Sequence, residues 1–266
     1  MKRWLALVYG VLAYVFFFCT FLYAIGFVGN VAVPKTVDTG PAAGRLEAAL
    51  VDIVLMSLFA LQHSIMARRS FKRLWTRLVS WHIERSTFVV AASAVLALLL
   101  WQWRPIPTAV WDVRGTTLGA VLAGTFWLGW GLLLLATFLI DHFELFGLRQ
   151  VWAYARGGEF RALDFKTPAL YRMVRHPIYL GFVIAFWSAP FMSLGHLLFS
   201  VGTTGYILLG ICFEERDLIA AYGQRYREYR ARVPMLIPLL KVRNGNEAPR
   251  ESAKSRATAG QTGVRE

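Results

Sequence analysis

The chain has 266 residues, of which 56% are hydrophobic and only 17% charged, with a formal net charge of +13. A soluble domain carries about 45–50% apolar and about 25% charged residues, so this composition excludes an ordinary soluble domain and points to a polytopic membrane protein. The charge does not require nucleic acid as a partner, because its distribution along the chain has a simpler explanation, given below.

The apolar residues fall in six blocks, 4–33, 46–66, 87–103, 118–140, 178–193 and 194–213, most of them near the roughly 20 residues a helix needs to cross a bilayer. The first is too long for a signal peptide and no small-x-small cleavage site follows it. After it, Pro34, Gly40 and Pro41 mark a short loop. The second block ends Gln62-His63-Ser64, polar residues close to a basic boundary. They serve either as hydrogen bonds between helices or as the lining of a pocket. Residues 68–85 mix basic side chains with Trp75 and Trp81, which suits a helix lying along the membrane surface. The third block stops at Arg104-Pro105. The glycines of the fourth (Gly119, Gly124, Gly129, Gly131) allow close helix packing, with no strand before them to make a dinucleotide fingerprint.

The fourth block leaves the membrane through Asp141-His142-Phe143-Glu144, which puts three titratable groups at one helix end. Asp-His-x-Glu spreads its side chains over divergent helical faces, so no metal is expected there. A polar linker, 151–169, follows. The fifth and sixth blocks are separated by Pro190 and Gly195 with almost no polar residue between them, and form a helical hairpin that either spans fully or dips in and returns. Its mouth, Leu170 to Gly181, crowds Arg172, Arg175 and His176 against the start of an apolar run, with Pro177 at a favoured first helical position. A helix N-terminus with arginine beside it is suited to an anion. Glu214, Glu215 and Asp217 stand at the exit of the hairpin. Glu215, Ile219, Tyr222, Tyr226 and Tyr229 then follow steps of four and three along one helical face, either an interfacial anchor or a lid over the hairpin mouth. Cys19 and Cys212 lie within apolar blocks, are expected to be buried, and form no disulfide framework.

With both ends on one side of the membrane, 25 of the 29 basic residues fall on that side, and only Lys35, Arg45, Arg104 and Arg114 on the other. The positive-inside rule makes the rich side cytoplasmic, so the charge reports topology. The expected fold is an all-α polytopic bundle of five to six transmembrane helices, including a C-terminal hairpin, with cytoplasmic interfacial helices. Its expected parts are a four-helix membrane region, 1–140, a cofactor-binding hairpin and helix, 141–241, and a disordered tail, 242–266.

RHPIYLG at the hairpin mouth, the Glu214-Glu215 pair and the run YG-x-x-Y-x-x-Y-x-x-x-VPMLIP from Tyr222 to Pro238 together resemble the isoprenylcysteine carboxyl methyltransferase superfamily of membrane enzymes. QHSIMAR (62–68), ERSTF (84–88), TFLIDHFELFGLRQVW (137–152) and FWSAP (186–190) extend the likeness to bacterial methanethiol S-methyltransferases, and a group of denitrification-associated membrane proteins shares these upstream pieces. The resemblance implies methyl transfer from S-adenosyl-L-methionine to a small thiol, methanethiol to dimethyl sulfide, in a bacterial inner membrane with both termini cytoplasmic. Carried over by motif, Arg175, His176, Tyr179 and Gly181 would line the cofactor site, with Glu214 and Glu215 on the ribose or the amino group. Tyr226 and Arg230 would close it, and Gln150 and Tyr171 complete the expected contacts. The general base is expected among His142, Glu144 and His176, in falling preference. The competing readings are a methyltransferase for a lipid or isoprenoid acceptor, a membrane reductase, and a non-enzymatic membrane partner.

Overall fold

The computed structural model describes residues 2–160 and 164–238; the expected disordered tail, 242–266, lies outside the described residues. The long helices are α1 (Lys2–Gly29), α2 (Arg45–Ala67), α4 (Trp81–Gln102), α5 (Thr117–Ile140) and α9 (Leu194–Tyr222). These five are long and apolar enough to cross a membrane, and the chain is an integral membrane protein with a bundle built around them. Shorter helices α3 (Arg69–Trp75), α6 (His142–Leu145), α7 (Leu148–Arg156) and α10 (Gln224–Arg232) gather at the basic end.

The fifth apolar block does not form a spanning helix of its own. Its helix, α8 (Pro177–Trp187), has 11 residues, about 16 Å at 1.5 Å per residue, against a hydrocarbon core of about 30 Å. Ser188 and Pro190 end it, and the chain goes on extended as β2 (Phe191–Ser193), pairing antiparallel with β1 (Ala109–Asp112) from the loop between α4 and α5. This two-stranded ribbon was not expected from the sequence. It gives the backbone groups of the hairpin tip partners where helical bonds have ended. The short helix and the ribbon together carry the hairpin to the far side of the bundle.

Two helix ends also lie beyond their apolar blocks. The helix α4 starts at Trp81, before the expected 87, so Glu84 and Arg85 sit on a regular helix; α9 runs to Tyr222, past 213. Hydrophobicity marks where lipid ends, while the helices continue into a polar layer at the basic end. Cys19 and Cys212 are exposed on the outside of the bundle, not buried in it.

The main apolar core lies toward the ribbon end, where Phe27, Trp103, Trp130, Phe186 and Phe199 meet edge to face. The crossing of α5 and α8 positions the site. A Cβ on Gly129 would come within 2.7 Å of Ala185 N, and one on Gly181 within 2.7 Å of Gly129 O, so the two glycines let the backbones touch. That contact holds the N-terminal end of α8, with Arg175 and His176 just before it, beside the C-terminal end of α5.

Candidate functional site

The polar ends of α4, α5 and α9, the turn before α8 and the faces of α3, α7 and α10 enclose a cavity of about 520 Å³. Of the expected site residues, Glu144, Gln150, Tyr171, Arg175, His176, Glu214 and Tyr226 line it. They come from five separate stretches of chain.

Arg175 and Glu215 meet directly. Arg175 Nε donates to Glu215 Oε1 at 2.7 Å, and His176 Nε2 lies 3.1 Å from the same oxygen. Both side chains of the arginine pair are 8% exposed. Arg230 Nε reaches Glu215 Oε2 at 3.3 Å. Glu215 is thus the buried junction of α8, α9 and α10. Arg175 Nη1 also donates to Arg230 O and Val233 O, and the backbone N–H groups of Arg175 and His176 donate to Pro234 O and Met235 O. The VPM run lies along the hairpin mouth like a strap, which is why these residues sit next to RHP in space although 55 positions or more away in sequence.

Glu214 and Glu215, adjacent in sequence, point to different places. Glu214 lines the cavity and accepts from Tyr179 Oη at 2.9 Å. Tyr179 reaches the site through this bond. Gly181 does not face the cavity; it lies a turn further along α8, packed on Gly129 and Leu133.

His142 takes a different direction from Glu144. The α5 helix ends at Ile140, Asp141 caps α6 by accepting from Glu144 N at 2.9 Å, and Arg149 binds both Asp141 (2.6 Å) and Glu144 (2.8 Å). His142 is buried among Tyr14, Phe138 and Phe146, with Nε2 2.8 Å from Tyr14 Oη and Nδ1 2.9 Å from Thr137 Oγ1. Burial holds the imidazole below its ordinary pKa. It is absent from the cavity wall, and both nitrogens are engaged.

The tyrosine stripe does not run along one helix. Gly223, at φ 56° and ψ −126°, breaks it, in a region open essentially only to glycine. The turn folds α10 back, so that Tyr226, Tyr229 and Val233 pack on Phe165, Leu218 and Tyr222. Tyr229 Oη donates to Tyr171 O at 2.5 Å, and burial lifts its pKa to about 12. Tyr226 is 1% exposed, and its hydroxyl has no hydrogen-bond partner among the described residues. Gln150 Oε1 is likewise buried and unpartnered, while its amide donates to Glu144 O. A buried polar atom with no partner costs about 1–3 kcal/mol. Two of them lining one cavity indicate a polar ligand.

Lys72, Glu84 and Arg85 also line the cavity. Sequence reasoning placed them in a surface segment and assigned them nothing. The ERSTF stretch was the available signal.

No family model and no solved structure matches the chain. Curated relatives are close. The chain is 55% identical over 238 residues to a methanethiol S-methyltransferase of Mycobacterium tuberculosis, covering 90% of this chain and 98% of that one. It is 54% identical to methanethiol S-methyltransferase 1 of Bradyrhizobium diazoefficiens, over 89% of this chain and 83% of the relative. It is 46% identical to the methanethiol S-methyltransferase of Crocosphaera subtropica, over 90% and 94%. At such identity over nearly the full described length, the chain belongs to the methanethiol S-methyltransferase family of membrane methyltransferases.

Proposed function

We propose that this protein transfers a methyl group from S-adenosyl-L-methionine to methanethiol, giving dimethyl sulfide, within a bacterial inner membrane with both termini in the cytoplasm. The observation that carries the reading is the cavity at the hairpin mouth, with Gln150 Oε1 and Tyr226 Oη unpartnered in its wall. Its volume lies within the roughly 300–1,000 Å³ of cofactor pockets. Its wall offers an acceptor for an amino group, a hydroxyl donor, carboxylates for a cationic centre and cations for a carboxylate, which is the donor set that S-adenosyl-L-methionine requires.

When bound, this cofactor supplies a methyl group on a sulfonium cation. Glu215 fixes Arg175 and His176 and, through Arg230, holds α10 against the mouth. Glu214, oriented by Tyr179, faces the cavity with a carboxylate, complementary to a cation. The strap and the α10 tyrosines exclude water, and low polarity favours a reaction in which thiolate and sulfonium charges cancel.

A small thiol titrates near the cysteine value of about 8.5, so its proton must pass to a group at the cavity. His142 does not line it. Of the expected bases, Glu144 and His176 do, and His176 already faces Glu215. We assign the proton to Glu144, whose Oε2 is held by Arg149 and whose Oε1 has no partner among the described residues. Glu144 Oε1 would take the thiol proton as the S–H bond breaks, while the bound donor would supply the methyl group and keep the electron pair of the broken methyl–sulfur bond on its own sulfur. An uncharged thiol arrives from the lipid, while the charged donor enters from the basic, cytoplasmic side.

Purified protein in detergent, given methanethiol and methyl-labelled S-adenosyl-L-methionine, should release labelled dimethyl sulfide into the headspace. Absence of labelled product, with NADPH bound instead, would replace this reading by the reductase.

A further inference from the structure

The cations on the cavity wall differ in how far protein partners engage them. Arg175 gives Nε and Nη1 to protein partners, Glu215, Arg230 O and Val233 O, which leaves Nη2 alone without one among the described residues. Across the cavity stand two cations with donors left over. Arg85 Nε donates to Leu145 O at 2.9 Å, and its guanidinium carbon lies 5.6 Å from the Phe88 ring centre, but its terminal nitrogens have no partner among the described residues. Lys72, in the last turn of α3, has no ion pair or side-chain hydrogen bond among the described residues. Both side chains are only partly exposed, whereas Lys166, the other uncommitted cation on the wall, is exposed at the rim.

Burial and the neighbouring Arg85 press the Lys72 ammonium below its ordinary pKa, and Glu84 and Asp217 offset only part of this. Asp217 is engaged by Arg68 at 3.5 Å, and Glu144, which also faces Arg85, is engaged by Arg149 at 2.8 Å. The two half-buried cations face Glu84, which has no side-chain partner among the described residues, and Glu144, whose Arg149 is shared with Asp141. A carboxylate brought by a ligand would satisfy the open donors of Lys72 and Arg85, since charge-assisted bonds to a carboxylate are the strong ones.

We propose that Lys72 and Arg85, on α3 and α4, are the carboxylate grip of the methyl-donor site, and that Arg175 is a positioning residue that ties the strap to the hairpin. The assignment rests on the methyl-donor reading above. It gives the N-terminal half of the chain a direct part in recognising the donor: α3 and the start of α4 bind the amino-acid end, opposite the C-terminal hairpin and lid.

Titration calorimetry of the full chain in detergent, without thiol, tests this using S-adenosyl-L-methionine and its decarboxylated form, which differ only in the carboxylate. The unmodified protein should bind the first about ten- to a hundredfold more tightly, the range for one or two charge-assisted bonds. Lys72→Gln should weaken S-adenosyl-L-methionine about tenfold and leave the decarboxylated form unchanged, and Arg85→Lys should act in the same direction. If Lys72→Gln alters neither ligand, or weakens both equally, the grip lies elsewhere. If Arg85→Lys weakens both equally while Lys72→Gln weakens neither, Arg85 is structural and the proposal fails. Unmodified protein that binds neither ligand overturns the methyl-donor reading, and this assignment with it.

Discussion

Glu215 and His142 have opposite roles at the level of single residues. Glu215 is a buried carboxylate with three cationic or imidazole neighbours, from Arg175, His176 and Arg230. Removing one member of a buried ion pair costs about 3–5 kcal/mol, because the partner charge stays behind. Glu215→Ala should therefore loosen the lid and release Arg175 and His176, and donor binding should fall below detection. Glu215→Asp, which keeps the charge, should recover part of it. His142 carries two hydrogen bonds to Tyr14 and Thr137 within an aromatic nest. Its replacement by Gln should lower thermal stability by about 1–3 kcal/mol with turnover per folded molecule nearly unchanged; a hundredfold loss of kcat at full stability would instead make it the base. Sequence spacing alone could not separate these roles. Asp141, His142 and Glu144 read as one cluster, and only the cap at Asp141 shows that the chain turns there and sends His142 into the bundle and Glu144 into the cavity.

The hairpin and its cap are what the site depends on at the next scale, and much of both was legible. Pro177 at a first helical position, the paired glutamates where the last apolar block ends within α9, and the tyrosine periodicity all locate elements that line the cavity. Three features were not legible. The strap of Val233 to Met235 is made by backbone hydrogen bonds, which leave no side-chain pattern. The break at Gly223 was hidden because the stripe keeps its period through the turn. The ribbon of β1 and β2 is too short to show alternation. Gly223 now becomes a handle on the lid. Gly223→Ala places a side chain at a conformation that costs on the order of 1–3 kcal/mol, so lid closure should weaken and the donor should dissociate faster. Equal dissociation rates in stopped-flow measurements would show that α10 does not close the site. At the α5–α8 crossing, Gly181→Val should push the helices apart, since even a single Cβ would lie within 2.8 Å of Leu133. Loss of folded yield from the membrane is expected, not a selective loss of donor affinity.

Across the whole molecule, charge and packing divide the bundle into two ends. The ribbon end holds the aromatic core and a small polar set. Asp52 there is fully buried and accepts from Arg104 N at 2.8 Å, Lys35 Nζ donates to Trp101 O, and Ser193 Oγ donates to Asp38. These bonds tie loops to helix ends. The cavity lies at the other end, among most of the basic residues, where a donor carrying a carboxylate would arrive. That asymmetry was readable from composition and order alone, because it rests on counting Lys and Arg on alternate loops. In a background with Cys19 and Cys212 replaced, Arg114→Cys should react with a membrane-impermeant maleimide in cells with a permeabilised outer envelope. Arg225→Cys should react only after the inner membrane is opened. The reverse order would invert the topology and place the cavity on the wrong side for its donor.

The claim beneath all of this is that one donor molecule sits where the hairpin mouth, the α9 glutamates and the α10 lid converge. The most direct measurement is calorimetric titration of S-adenosylhomocysteine, the demethylated product, into the purified chain and into Glu215→Ala. One site per chain in the unmodified protein, and no detectable heat in a Glu215→Ala protein that remains folded, is the result expected. Equal affinity in the two proteins would contradict it.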